Sequence, residues 1–259
     1  MDFETILGVA VKAAREAGGY AASHIKSAGE IRYKGGDVNN LVTDVDERCE
    51  EIIIAGIRRS FPDHSVLAEE SGEHPEKDAC LWLVDPLDGT TNFAHGFPVF
   101  CVSIGVMFGG EIKIGVVYDP CRDELFIAEK GRGAFLNGKG ISVSRVGTVQ
   151  SSLVTTGFAS SLAAKEHNLR YFQRMLGSAQ AVRRMGSAAL DLCYVACGRF
   201  DGFWEPGLNP WDTAAGELIV KEAGGTVTTF SGETHNVHDK DIVATNGTIH
   251  KEMLDLLNN

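Results

Sequence analysis

The chain has 259 residues, of which 44% are apolar and 23% charged, and its formal net charge is −11. These totals describe a globular protein large enough to bury a substantial core. No apolar run approaches the length of a membrane span, and an acidic chain without a Lys/Arg run does not fit a nonspecific nucleic-acid binder. The start, Met1-Asp2-Phe3-Glu4, is acidic and opens an amphipathic pattern, unlike a signal peptide, so a cytoplasmic location is expected. The 6 cysteines are scattered without a CxxC pair and read as reduced, buried thiols.

In chain order, Ile6, Val9, Ala10, Ala13, Ala17 and Tyr20 recur at helical spacing and predict a helix over 3–27. A polar loop around Lys34 follows. A second helix is expected from Thr43 or Asp44, either able to cap it, to just before Pro62. Short strands are expected at 66–69 and 81–85. Three runs at 101–108, 112–118 and 124–128, separated by tight turns, predict an antiparallel meander. Beyond it the pattern alternates: strand 153–156, helix 164–176, strand 182–185, helix 186–197, strand 201–205 and helix 210–223. Strands near 226–230 and 242–245 precede a last helix over 248–257. The order implies helices layered on sheets of mixed connectivity, with a change of topology near 145–151.

Four acidic clusters fall where a strand ends or a helix begins: Asp44/Asp46, Glu69-Glu70, Asp85/Asp88 and Asp212. Such positions gather in a cleft at a sheet edge. The most informative is Asp85-Pro86-Leu87-Asp88-Gly89-Thr90-Thr91-Asn92, which follows the apolar run Cys80–Val84. Hard oxygen ligands beside a Gly-Thr turn suit Mg²⁺ and phosphate. Gly89 and Thr90 are expected to open a short helix whose N–H groups face phosphate oxygens. The chain has no GxxxxGK[ST] loop, and Gly131-Arg132-Gly133 lacks the third glycine of a dinucleotide fingerprint. His95, His235 and His238 receive no catalytic role, the last two being expected in solvent. From the residues alone, Lys34 reads as a solvated loop lysine and Glu205 equally as a site or a surface residue.

Four motifs resemble, in order, those of the inositol monophosphatase family of Mg²⁺-dependent, lithium-sensitive phosphatases. They are Leu41–Asp46, Glu69-Glu70-Ser71, Trp82–Phe93, and Trp211–Gly216 with Glu222–Gly225. The resemblance implies an α+β protein, a layered α-β-α-β-α sandwich of the sugar phosphatase type with mixed sheets. Its N-terminal half (1–148) would carry the main metal motifs, and its C-terminal half (149–259) Asp212 and the substrate-selecting residues. It implies two or three Mg²⁺ ions held by Glu69, Asp85, the carbonyl of Leu87, Asp88 and Asp212. It implies catalytic roles for Thr90 paired with Asp44, for Glu69, and for Lys34 as a mobile loop lysine. Substrate would meet Asp88, Gly89, Thr90, Gly186, Ser187, Ala188, Glu205 and Asp212.

The activity implied is hydrolysis of inositol monophosphate by metal-activated water. Asp85 and Asp88 are three apart, not two as in phosphatases with an aspartate nucleophile, so no phosphoenzyme is expected. The alternatives are another small phosphate ester, such as fructose 1,6-bisphosphate or histidinol phosphate, and a regulatory binding protein with residual activity. Partners are expected to be a small-molecule ester and a second copy of the chain. The apolar stretch Val99–Met107 could supply the dimer surface or could be core.

Overall fold

The computed structural model describes residues 2–26, 31–33, 36, 41–74, 80–158 and 162–258. Helix α1 (Phe3–His24) starts at Asp2, whose carboxylate accepts from the Thr5 N–H at 3.2 Å, and it buries the small apolar face Ala10, Ala13, Ala14 and Ala17. Helix α2 (Asp44–Ser60) starts at Thr43 in a capping box closed by Asp46, so of the two expected caps Thr43 is the one used. Its apolar face, Val45, Cys49, Ile53 and Ile57, packs with α1 over the first sheet.

That sheet contains β3 (Ser65–Ala68), β4 (Gly72–His74), β5 (Cys80–Asp88), β6 (Cys101–Phe108), β7 (Glu111–Asp119), β8 (Glu124–Glu129), β9 (Ala134–Leu136) and β10 (Lys139–Gly140). Its order is β10-β9-β8-β7-β6-β5-β3-β4. The meander is antiparallel, while β3 and β5 run parallel. The second sheet, in the order β12-β11-β13-β15-β14, takes β11 (Leu153–Thr156), β12 (Ala181–Arg183), β13 (Gly202–Pro206), β14 (Thr226–Thr228) and β15 (Asp241–Thr245).

Helices α5 (Ala188–Ala196) and α6 (Pro210–Glu222) lie between the sheets, and α4 (Leu162–Ser178) and α7 (His250–Asn258) cover the outer face of the second. The result is five layers, α-β-α-β-α, as expected. Apolar side chains fill each interlayer space. The middle layer sits close to the first sheet because Gly105 and Gly115 stand beneath α6. A Cβ on Gly115 would lie 2.6 Å from the Ala215 carbonyl oxygen, and one on Gly105 would lie 2.7 Å from the Ala214 Cβ.

The structure decides one open reading and corrects two expectations. Of the two readings of Val99–Met107, core is the one found: Val99, Phe100, Val102, Ile104 and Val106 are buried between the first sheet and its two helix layers. His235 is buried, not solvated, with Nδ1 2.8 Å from a Glu217 oxygen. The strand expected over 182–185 ends at Arg183, which leaves Arg184 and Met185 in the loop before α5. No helix among the described residues is long and apolar enough to cross a membrane.

Candidate active site

In a regular strand, residues three apart face opposite sides of the sheet. Asp85 and Asp88 escape this rule through a bulge. Asp85 pairs with Ser103 and Asp88 with Cys101, so the three steps along β5 match two along β6. The extra residue brings both carboxylates to one cavity of about 190 Å³, together with Leu87, Glu69 from the turn after β3, and Asp212 from the first turn of α6.

Each carboxylate-bearing segment is anchored locally. Asp85 Oδ1 accepts from the Leu87 N–H at 3.0 Å. Asp212 Oδ2 accepts from the Asn209 N–H at 2.7 Å, within the capping box of α6. The buried Glu50 accepts from the N–H groups of Glu70 (2.8 Å) and Ser71 (3.0 Å), which fixes the turn carrying Glu69. Asp88 Oδ2 accepts from both the Ser187 hydroxyl and the Ala189 N–H at 2.7 Å, so it sits on the N-terminus of α5.

The carboxylates strain against one another. Burial, then the charges of Glu69, Asp88 and Asp212, pushes the Asp85 carboxyl well above its usual range. Burial and Glu69 do the same to Asp212. Asp88 is pushed up to about 6 by burial, against the pull of its bonds from Ser187 and Ala189. Proton uptake or a bound cation would relieve this repulsion. The donors are all oxygen, without cysteine or histidine on the wall. Among the described residues no three acidic, histidine or cysteine side chains close into a ready cage. The carboxylates instead line the wall of an open polar cavity, which suits a small ion that keeps several waters and takes only one or two carboxylates.

Gly89 turns the chain from β5 into the one-turn helix α3 (Thr90–Ala94) with φ of +102°, a conformation that favours glycine. The Thr90 hydroxyl donates to the Leu87 carbonyl at 3.1 Å and also stands against the carboxylate of Asp46. The pairing expected with Asp44 is thereby corrected. Asp44 is half exposed and ion-paired to Arg32 at 3.1 Å on the outside of α2. Asp46, two residues on, is buried. It accepts from the Thr43 N–H and hydroxyl, and burial pushes it up to about 6 against those bonds. On a helix, positions 44 and 46 face different ways, and only 46 turns toward the motif.

A second cavity of about 140 Å³ adjoins the first, and Asp88, Arg184, Gly186 and Asp212 border both. Its far end holds Ala188 and the buried Glu205. Burial, then Asp191 and the site aspartates, raises Glu205 well above its usual range, and Arg184 pulls it back. Ser187 borders this space too, but its hydroxyl is engaged with Asp88 and with the Leu190 N–H of α5. Asn92 joins the two halves, donating to the carbonyls of Val99 and Met185, both at 2.8 Å.

Known proteins decide the family. The model of the inositol monophosphatase family matches residues 2–259. The chain belongs to this family. It is 45% identical to the inositol-1-monophosphatase of Synechocystis sp. over 99% of this chain and 90% of that one. It is 44% identical to the Nus factor SuhB of Escherichia coli K12, over 96% and 94%. Among solved structures, the extragenic suppressor protein suhB of Bartonella henselae superposes with a TM-score of 0.94 at 38% identity, covering 98% of this chain and 99% of that one.

Of the residues that the family resemblance singles out, Glu69, Asp85, Leu87, Asp88, Gly89, Thr90, Gly186 and Asp212 border the first cavity, and Ser187, Ala188 and Glu205 the second. Lys34 lies outside the described residues. Sequence reading gave no role to Asn92, Arg184 or Glu50, and it named Asp46 only as one of an acidic pair whose role it gave to Asp44. The short-range signal for Asp46 was its place three residues after Thr43, the reciprocal position of a capping box. A larger cavity, about 390 Å³, borders the later half of α6. The Glu217 carboxylate near it is already bonded to His235 and Lys221, and the converging carboxylates are absent from its wall.

Proposed function

We propose that this family member is a phosphomonoesterase for small polyol phosphates, inositol monophosphate first among them, with water as the nucleophile. One observation carries the reading: Glu69, Asp85, Asp88 and Asp212, from three separate segments of the chain, border one cavity that opens beside Glu205. Glu69, Asp85, the Leu87 carbonyl, Asp88 and Asp212 would hold Mg²⁺. Bound there, the metal supplies charge neutralisation for the phosphate and acidifies water.

The chain's own groups supply the rest. Asp46 stands against the Thr90 hydroxyl and would orient it, so that its oxygen accepts a hydrogen bond from the attacking water. The first-turn N–H groups of α3, which have no helical acceptor, face phosphate oxygens. Asp88, fixed by Ser187 and Ala189, and Glu205 take vicinal hydroxyls of the polyol. The four carboxylates are unstable together without cations, and this supports catalysis over a purely binding role. The relatives named Nus factor SuhB support a second reading, in which the chain also serves a macromolecular partner.

The test is a panel of phosphate esters assayed with Mg²⁺, reading kcat/KM for each. Inositol monophosphate is expected at or near the top, and hydrolysis of none of them would overturn the proposal. Rapid acid quench with labelled substrate is expected to leave no label on protein. An acyl phosphate on Asp85 would refute direct attack by water.

A further inference from the structure

We propose that the cavity of about 390 Å³ beside the later half of α6 is a binding site for a small amphipathic carboxylate. Its wall shares no residue with the two cavities of the candidate active site.

Three segments build it: the hairpin that joins β6 to β7, helix α6, and residues 234–237 before β15. Met107, Ile112, Leu218 and Val237 supply an apolar wall, and the volume suits a small organic molecule. The charged groups beside them are unequally engaged. The carboxylates are spent. Glu222 accepts with both oxygens from backbone N–H groups, those of Gly131 and Gly133, each at 2.8 Å. The buried Glu217 accepts from Lys221 and stands 2.8 Å from His235 Nδ1. Glu111 is bracketed by Lys113 at 2.5 Å and Lys130 at 2.7 Å, and their bonds push its carboxyl down to about 2.

The lysines keep capacity in hand. An ammonium has three donors, and among the described residues Lys130 and Lys221 each pair with one carboxylate while staying exposed to solvent. His235, also on the wall, has its Nε2 buried and without a partner among the described residues. Buried nitrogens rarely stay unpaired, and this one leaves the wall unfinished without an occupant.

The occupant that fits has an apolar body and an end that accepts hydrogen bonds. An amine end would meet Lys130 and Lys221 and find the carboxylates already paired. A neutral alcohol would fill the apolar part and draw little from the ammoniums. A carboxylate uses both, through charge-assisted bonds. That attraction has to be local, because a chain of formal net charge −11 repels an anion at long range.

The experiment titrates the whole protein, labelled with ¹³C at its methionine methyls, with octanoate, octan-1-ol and octylamine. Mg²⁺ is present so that the amine does not collect at the carboxylate cluster. Met107 lies on the cavity wall, Met185 before α5 near the candidate active site, and Met175 and Met253 in the outer cluster under α4 and α7. Octanoate is expected to shift the Met107 methyl saturably, with a Kd of about 1 mM or tighter, and to leave the other three in place. The alcohol should bind more weakly and the amine more weakly still. Ile112→Trp, which fills the cavity, should abolish the shift. The double variant Lys130→Met, Lys221→Met should weaken octanoate at least about fivefold and bring it level with the alcohol. If Ile112→Trp does not fold, the double variant decides. The inference is overturned if Met107 shows no saturable shift, if Met185 responds in its place, if alcohol or amine binds as tightly as octanoate, or if the double variant keeps wild-type affinity.

Discussion

Two aspartates in one helical turn separate cleanly by environment. Asp44 faces water and makes an ion pair of a kind worth about 0–1 kcal/mol, so Asp44→Asn should leave turnover within about twofold of wild type. Asp46 is buried against Thr43 and Thr90. Asp46→Asn should lower kcat about 10²-fold through the mis-set hydroxyl and cost about 1 kcal/mol of stability through the weakened cap. Steady-state kinetics and thermal melts of both variants check the assignment, and equal losses would refute it. Asp212→Asn should lower kcat at least about 10³-fold. Its Oδ can still accept from the Asn209 N–H, and one buried like charge is gone, so the metal-free melting temperature should be no lower than wild type. These contrasts also show the limit of reading by motif. Asp44 and Asp46 look equivalent as letters, and only the turn of the helix tells them apart. Arg184 was invisible for a related reason: periodicity extended its strand by two residues, whereas the chain leaves the sheet at Arg183.

At the level of elements, the site depends on the closeness of α6 to the first sheet. Gly115→Ala would drive a methyl into the Ala215 carbonyl. Overpacking of this kind costs about 1–3 kcal/mol. Because α6 carries Asp212 at its first turn, the lost stability should come with a higher KM for Mg²⁺, measured by titrating the metal at saturating substrate. Unchanged metal dependence in a destabilised variant would show that α6 tolerates the push without moving its end. The long elements were legible because their apolar faces repeat: α1, α2, α6 and the meander match their expected spans closely. The two- and three-residue pieces β1 (Ile31–Tyr33), β2 (Leu41–Thr43), β4, β9 and β10 were not foreseen, since so few residues hold no period to detect. The bulge between Asp85 and Asp88 was foreseen only as a stiff Pro86-Leu87 turn. Its effect on facing depends on what β6 does opposite, which no local pattern records.

At the level of the whole molecule, the carboxylate cluster couples stability to pH and to metal. Asp46 and Asp88 titrate near 6 in the folded chain against a usual 3.8, and Asp85 and Asp212 are also raised. The native state thus holds more protons than the unfolded state between those values, so these groups favour folding at low pH and their contribution is lost as pH rises through about 6. A cation takes the place of those protons. Mg²⁺ should therefore raise the melting temperature more at pH 8 than at pH 5, read by thermal melts with and without a chelator. An equal gain at both values would mean that the ion binds away from these carboxylates.

Asn92 and Asp88 are the stitches through which residues before 102 hold the loop and helix that begin at 185. A ribosome that has made the first 150 residues has already laid down Glu69, Asp85 and Asp88, yet the nascent chain cannot finish the cluster until Asp212 emerges. Before Ser187 and Ala189 follow, it carries acidic groups whose balancing donors are still unmade. Cellular Mg²⁺ would ease that interval, and a chain cut short before Ser187 would keep Glu69, Asp85 and Asp88 without the donors that hold Asp88.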